Sequence, residues 1–593
     1  MKNLLGLVIL GCILTSSVTL AEPSLIVVFP QTNYQTSAQK IFFLGTAPPD
    51  GQVLINSKPI NRSKAGHFSP SFPLQLGENL FTVRHQNQEL KIKVIGLNAS
   101  PELPQGVAFA KDSLTPAVDI ARLPGEVICF SAIAPPNANV SVTLANQTIA
   151  LLPQPQQAQL PSNLAALTGQ NQPHAQSSVG NYQGCTAVAT VADLGKPQFQ
   201  LTLDGKTITQ SGSGKIEILS RSQLPVSEVT VELGVARTGP STDYSRLTPL
   251  PKGTRATVTG REGEWLRLDY GAWINSKETR ILPGAVPPQT IIRSVGYRQL
   301  PSATEIVFPL QVPVPVSVQQ SEQTLALTLY NTTAQTDIIR LDDNPLINRL
   351  DWQQEAPGQV KYTFNLKKAQ QWGYKLRYDG TTLVLALRHP PKIGNTRRKL
   401  LANFKIVLDP GHGGKESGAS GPTGYLEKDV NLVVSKLLRD ELVKRGATVV
   451  MTREDDKEVS LVERQAIISQ EEPAIAISIH HNSLPDNGDA EKTKGFGTFW
   501  YHPQAHSLAI FLQNYVVKKL GRPHYGVFWN NLALTRPAAA PSVLLELGFM
   551  SNPDEFEQVV NPEEQKKMAK AIAQGITEWL RSNCTGGTAT RDE

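Results

Sequence analysis

Phe404–Lys415 reads FKIVLDPGHGGK: an apolar run that stops at Asp409-Pro410 and releases a histidine, His412, between glycines. The residues that follow decide what kind of strand this is. Asp429–Gly446, DVNLVVSKLLRDELVKRG, carries apolar residues at Val430, Val433, Val434, Leu437, Leu438 and Leu442, the spacing of one helix face. Gly446 closes that helix in the C-cap manner. ATVVMTR reads as a second strand, and Ser460 to Glu463 opens a second helix with a Ser-x-x-Glu capping box. AIAISI and GTFWY are strands, HSLAIFLQNYVVKKL a helix, VLLELGF a strand and QKKMAKAIAQGITEWL a closing helix. Alternating β and α units predict an α/β domain with a largely parallel sheet covered on both faces. Ligands of such sheets sit outside the carboxyl ends of the strands.

That edge collects chemistry. His412 follows the first strand, His480 ends AIAISI, and Glu546 lies late in VLLELGF. Glu427 precedes the first long helix, whose N-terminus faces the same edge. A catalytic zinc site takes three protein ligands from His and carboxylate and leaves a position open, with a separate carboxylate to move protons. His412, Glu427 and His480 fit as the ligands, and Glu546 fits as the base. Gly411, Gly413 and Gly414 allow a sharp turn and leave room beside the imidazole. Other readings compete at single positions. Glu427 in isolation is an ordinary carboxylate at a helix N-terminus. His480 and His481 are neighbours on a strand and point to opposite sides, so one ion takes one of them, and His480 is the choice. Glu546, inside an apolar run, carries a desolvation cost that favours a functional role. His502, His506 and His524 fall outside the grouping.

The rest of the chain is β-rich. At 593 residues it needs several cores. Its 43 prolines, 44 glycines and 6% aromatics suit small β domains joined by loops. Lys plus Arg (57) barely exceed Asp plus Glu (51), too diffuse a balance for a nucleic-acid partner. Met1–Ala21 has the charge, apolar stretch and small-x-small ending of a secretory signal, so the expected location is the periplasm or cell envelope. Lipoprotein processing at Cys12 is the weaker alternative, and no later run is apolar and long enough for a transmembrane anchor. Export permits disulfides, and Cys129 with Cys185 is the plausible pair, with Cys584 left over in a tail expected to be disordered (584–593). Residues 22–100 show short alternating runs of a small β-sandwich. Residues 101–222 are β-rich, of unassigned role, with a Gln/Pro-rich stretch from Leu152 to Gln176 read as a mobile loop. Residues 287–392 alternate again as a further β domain, 393–403 read as a hinge, and 404–583 form the α/β domain.

Three resemblances refine this. Residues 223–286 resemble the bacterial SH3-like barrel, through Val235-Ala236-Arg237, Leu250-Pro251-Lys252-Gly253, Trp265-Leu266-Arg267-Leu268 and Ala272-Trp273-Ile274. Trp265 and Trp273 are read as core rather than as a ligand groove. The 287–392 segment looks like the β domain that often precedes the catalytic domain of secreted wall amidases. Residues 404 to about 580 resemble the zinc-dependent N-acetylmuramoyl-L-alanine amidases, through IVLDPGHGGKESGA, EKDVNL, VVMTREDD, SLVERQAI, Ile477–Ser483 and VLLELGFMSNPDE. That resemblance implies hydrolysis of the lactyl–L-alanine amide of peptidoglycan, zinc on His412, Glu427 and His480, and catalysis by Glu546. His481 departs from the family, which usually has a small residue there. Some exported relatives insert a helical lid; GTFWYHPQAHSLAIFLQ leaves little room for one, so the catalytic domain is expected to act without an activator. The upstream β modules are expected to bind the wall.

Overall fold

The protein is described by a computed structural model covering residues 24–98, 103–155, 157–159, 174–176, 179–392 and 399–584. The signal segment with Cys12, most of the Gln/Pro-rich stretch, the first half of the expected hinge and the tail beyond Cys584 lie outside the described residues.

The chain is multidomain, mostly β before residue 392 and α/β after it. The first domain packs a five-stranded sheet against shorter sheets over Ile41, Phe43, Val53, Phe68, Val83 and Val94, all at most 0% exposed. Next, Val127–Ile133 and Asn181–Ala187 pair antiparallel with Cys129 opposite Cys185, and the two cysteines form a disulfide. The sheet of the SH3-like segment then runs across the expected boundary at 222/223, because Arg255–Glu262 pairs with Ile120–Arg122. Within that segment Trp273 is buried under the guanidinium groups of Arg122 and Arg267, while Trp265 is half-buried beneath Arg237. Residues 290–388 form two facing sheets of five and four strands around Ile306, Phe308, Leu327, Tyr362 and Phe364.

In the C-terminal domain the elements are β1 (Lys405–Pro410), α1 (Glu427–Lys444), β2 (Thr448–Met451), α2 (Leu461–Glu471), β3 (Ile475–Asn482) and β4 (Phe496–Trp500). They continue as α3 (Pro503–Leu520), β5 (His524–Trp529), β6 (Ser542–Phe549), α4 (Pro553–Val559) and α5 (Pro562–Cys584). The sheet order is β2-β1-β3-β6-β4-β5. Strands β2, β1, β3 and β6 are parallel, β4 runs antiparallel to β6, and β5 runs parallel to β4. The four parallel strands therefore present their carboxyl ends at one edge. Ser460 caps α2 with the expected reciprocal box to Glu463. Along α1 the buried stripe is Val430, Val434, Leu438 and Leu442 with Asn431 and Ser435, while Val433 is exposed. Only two residues separate the end of β4 from the start of helix α3, so no lid is inserted between them.

Two sequence expectations need correcting. Cys584 is not part of a disordered tail; it is the last residue of α5, half-buried against the domain core, because the burial periodicity of α5 continues to its end. The expected hinge joins two bodies that are packed together. Trp372 of the preceding β domain sits in the same core cluster as Trp579 of α5, their rings 5.5 Å apart. Arg388 donates to the carbonyls of Pro473 (2.5 Å) and Ala539 (2.8 Å) across this junction.

Candidate active site

His412 leaves β1 in a left-handed conformation, φ 61°, which is costly for a side chain with a Cβ. Two buried arginines hold the loop in it. Arg464 donates to the carbonyls of His412 (2.7 Å) and Pro410 (2.8 Å). Arg453 donates to those of Pro410 (3.0 Å) and Gly411 (2.9 Å), and also to that of Lys428 (2.7 Å), tying the loop to α1. Arg464 is neutralised by Asp409, 2.7 Å away, whose carboxylate also accepts from the hydroxyls of Thr452 and Ser478 at 2.6 Å. Burial opposes the charge on Asp409, but Arg464 and the two hydroxyls together keep its carboxyl below the usual range.

Glu427 is the first residue of α1 and is 4% exposed. Its Oε1 accepts from the Asn431 amide (3.0 Å) and the His481 backbone N–H (3.1 Å), its Oε2 from the Ala419 N–H (2.8 Å). The His412 Nε2 lies 3.2 Å from Oε2, and the His480 Nδ1 lies 3.1 Å from Oε1. One ligand atom from each of His412, Glu427 and His480 falls within 4.8 Å of the others. Burial alone would raise the Glu427 carboxyl, yet the two imidazoles hold it well below its ordinary value. Burial likewise pulls His412 down, but the Glu427 carboxylate outweighs it and the ring's pKa rises. Such a cluster of donors is one that a cation would complete.

Glu546 sits beside His480 in the β3–β6 register. Partners in a ladder project to the same face, so its side chain lies on the ligand side of the sheet. Its Oε2 is shielded from solvent and has no hydrogen-bond partner among the described residues. Burial first, and the negative charge of Glu427 second, push its carboxyl well above the ordinary value. An unpartnered buried carboxylate oxygen costs stability, and such groups concentrate where protons are moved.

Comparison with known proteins bears on this cluster. Residues 406–578 match the family model described as N-acetylmuramoyl-L-alanine amidase. The C-terminal domain belongs to that family. Residues 236–279 match the bacterial SH3 domain model. The amidase domain is 37% identical over 185 residues to the probable cell wall amidase LytH of Staphylococcus aureus, a match covering 31% of this chain. The chain spans about 60% of the length of that curated relative. Among solved structures, the amidase AmiC2 of Nostoc punctiforme is 32% identical, with 30% of this chain and 97% of that chain covered and a TM-score of 0.29. The catalytic domain of CwlV, an amidase from Bacillus (Paenibacillus) polymyxa var. colistinus, is 30% identical, covering 30% and 98%, with a TM-score of 0.29.

Several residues around the amidase site were not singled out by sequence reasoning. Asn431 was one of them, although its i+4 spacing from Glu427 puts both on one helix face. Its amide donates to Glu427, and its oxygen lies 2.8 Å from the Nδ1 of His481. His481 is thus turned away from the cluster and buried, its pKa lowered to about 4 first by burial, and it orients Asn431. Arg453 and Arg464 stand inside motifs quoted above, but only the fold reveals that they clamp the His412 loop. Glycines are obligatory here for reasons of space as well as turn geometry. A Cβ on Gly411 would lie 2.2 Å from the His480 ring, and one on Gly418 would lie 2.4 Å from Glu427 and 2.6 Å from His412. His502 and His506 lie apart from the cluster: His502 bonds the Arg536 carbonyl at 2.7 Å, and the His506 ring lies tilted against that of Trp500, their centroids 4.2 Å apart.

Proposed function

We propose that the protein hydrolyses the amide between the lactyl group of N-acetylmuramic acid and L-alanine in peptidoglycan, with zinc on His412, Glu427 and His480. The observation that carries the reading is the convergence of two imidazoles and a carboxylate within 4.8 Å, beside a shielded carboxylate oxygen on the adjacent strand. The residues fit the metal: two neutral imidazoles and one carboxylate are the donor set of many hydrolytic zinc sites, and a fourth position stays free. When bound, zinc would supply Lewis acidity that polarises the scissile carbonyl and acidifies water. Asn431 and the His481 backbone N–H hold the Glu427 carboxylate in its ligating orientation. Glu546 takes the proton of the attacking water and returns it to the leaving alanine nitrogen; its raised pKa suits a group that must both accept and donate.

Export to the cell envelope and wall attachment through the SH3-like and neighbouring β modules accord with this reading. Mass spectrometry of peptidoglycan digested by the full chain tests it. Free stem peptides beginning at L-alanine, lost on chelation and restored by zinc, are the expected products. Cuts within the stem peptide would reassign the protein as a peptidase.

A further inference from the structure

The loop from Leu484 to Lys494 leaves β3 four residues after His480 and returns at β4. It is gripped from both sides. From within the amidase domain, Asn552, wholly buried at the N-cap of α4, donates its amide to the carbonyls of Ala490 (3.0 Å), Glu491 (3.0 Å) and Thr493 (3.3 Å). From outside, the N-terminal β-sandwich closes over it, more than 400 residues away in sequence. Phe42 (5% exposed) and Leu44 (3%) form one apolar cluster with Ala490 (0%), flanked by Phe29 and Leu484. The Tyr34 hydroxyl lies 3.1 Å from both oxygens of Asp486. The Phe42 N–H donates to the Asp486 carbonyl, and the Ser71 hydroxyl to the Gly488 carbonyl, each at 3.2 Å.

The same sandwich reaches the other side of the site. His67 meets the Phe556 ring edge-on at 5.2 Å, and the Ala65 N–H donates to Glu557 at 2.8 Å. Phe556 in turn lies against Gly421, where a Cβ would come within 2.0 Å of the ring, in the loop that leads to Glu427. Both loops that flank the ligand cluster are therefore packed, directly or through Phe556, on the N-terminal domain. With the sandwich in place the His412 side chain is still 28% exposed and that of His480 17%. The docked domain borders the site without plugging it.

We infer that the N-terminal β-sandwich is a fixed wall of the active-site edge, which holds the 484–494 loop in shape and stays docked while peptidoglycan is cleaved. A module that merely tethers the enzyme to the wall would have no need of an apolar seam and backbone hydrogen bonds onto the catalytic domain. The inference rests on the proposed amidase activity only for its last clause, and the test separates the two.

Hydrogen exchange of the full chain reads the loop without any reaction. Tyr34→Phe and Phe42→Ala should each speed exchange in residues 484–494 several-fold and leave that of β1 unchanged; an unchanged loop overturns the inference. A second variant, Leu44→Cys with Ala490→Cys, locks the seam as a disulfide. The locked full chain should release stem peptides from peptidoglycan within about twofold of the same chain after reduction, with the unlocked protein as the control for reductant. Activity that is absent when locked and returns on reduction would show that the sandwich must swing away, and would overturn the wall role. If neither form cleaves peptidoglycan, the functional reading fails, while the exchange result still decides whether the sandwich holds the loop.

Discussion

At the scale of single residues, the site depends on atoms that have no alternative place. Glu546 projects an oxygen into a shielded position where none of the described residues bonds it. Glu546→Gln keeps the shape and removes the proposed proton acceptor, so turnover should fall by about 10²–10⁴-fold. Zinc affinity measured by calorimetry should be unchanged, and an equal loss of both would move Glu546 out of the proton-transfer role. Gly411 is decided by contact rather than by turn geometry. Gly411→Ala drives a methyl into the His480 ring, 2.2 Å away, and should weaken the proposed zinc binding at least about tenfold by displacing a proposed ligand. Circular dichroism should show the fold retained. Much of this residue-level chemistry could be read beforehand, because strand ends in an α/β sheet converge and His412, Glu427, His480 and Glu546 all fall at such ends. The Asn431 to His481 contact could not be read, since it needs the rotation of α1 about its axis as well as the order of the strands.

Among the elements, β1 is the most constrained. Asp409 and Arg464 form a nearly fully buried pair, 2% and 3% exposed in their side chains, and the arginine also donates to the carbonyls of Pro410 and His412 and, through Nε, to that of Val459. Arg464→Met would leave the Asp409 charge unpaired, with an expected loss of about 3–5 kcal/mol in urea unfolding. Adding Asp409→Asn should recover part of that loss; no recovery would mean that the backbone clamp, rather than the charge, carries the stability. Helix α3 provides a pH prediction. His502, at its N-cap, has its pKa lowered from 6.5 to about 4, by burial first. Between those values the unfolded chain takes up a proton that the folded chain refuses. The contribution is therefore complete above pH 6.5 and is lost as pH falls toward 4. The unfolding free energy from urea titrations should decline over that window by about 3.5 kcal/mol, at roughly 1.4 kcal/mol per pKa unit. His502→Gln should remove this share of the decline and leave that of His481, which is lowered over the same window. At this scale the periodic helices and the capping box of α2 were legible, whereas β5 was missed. Its sequence, HYGVFW, is short, exposed at both ends and half-buried between them, and it becomes a strand only because β4 offers an edge to pair with.

Across the whole molecule, the catalytic domain is not an independent bead on a string. Trp372 from the preceding β domain fills part of its core against Trp579, so Trp372→Ala in the full chain should cost about 3–5 kcal/mol. A fragment beginning near residue 400 loses that ring altogether and should melt below the amidase domain of the full chain in calorimetry. An equal melting temperature would mean that the junction contributes nothing. By itself, the sequence determined most of the strands and helices of the catalytic domain, that its sheet is largely parallel, and which residues stand at its carboxyl edge. These follow from local periodicity, turn chemistry and the handedness of β–α–β connections, all of which act over short distances along the chain. Only the tertiary structure decided that two buried arginines hold His412 in its left-handed turn, that the disulfide partners face each other across one ladder, and that the N-terminal sandwich closes on the loop after His480. Those outcomes depend on which surfaces of separately folded layers fit one another, and packing between residues hundreds of positions apart leaves no periodic mark in the sequence.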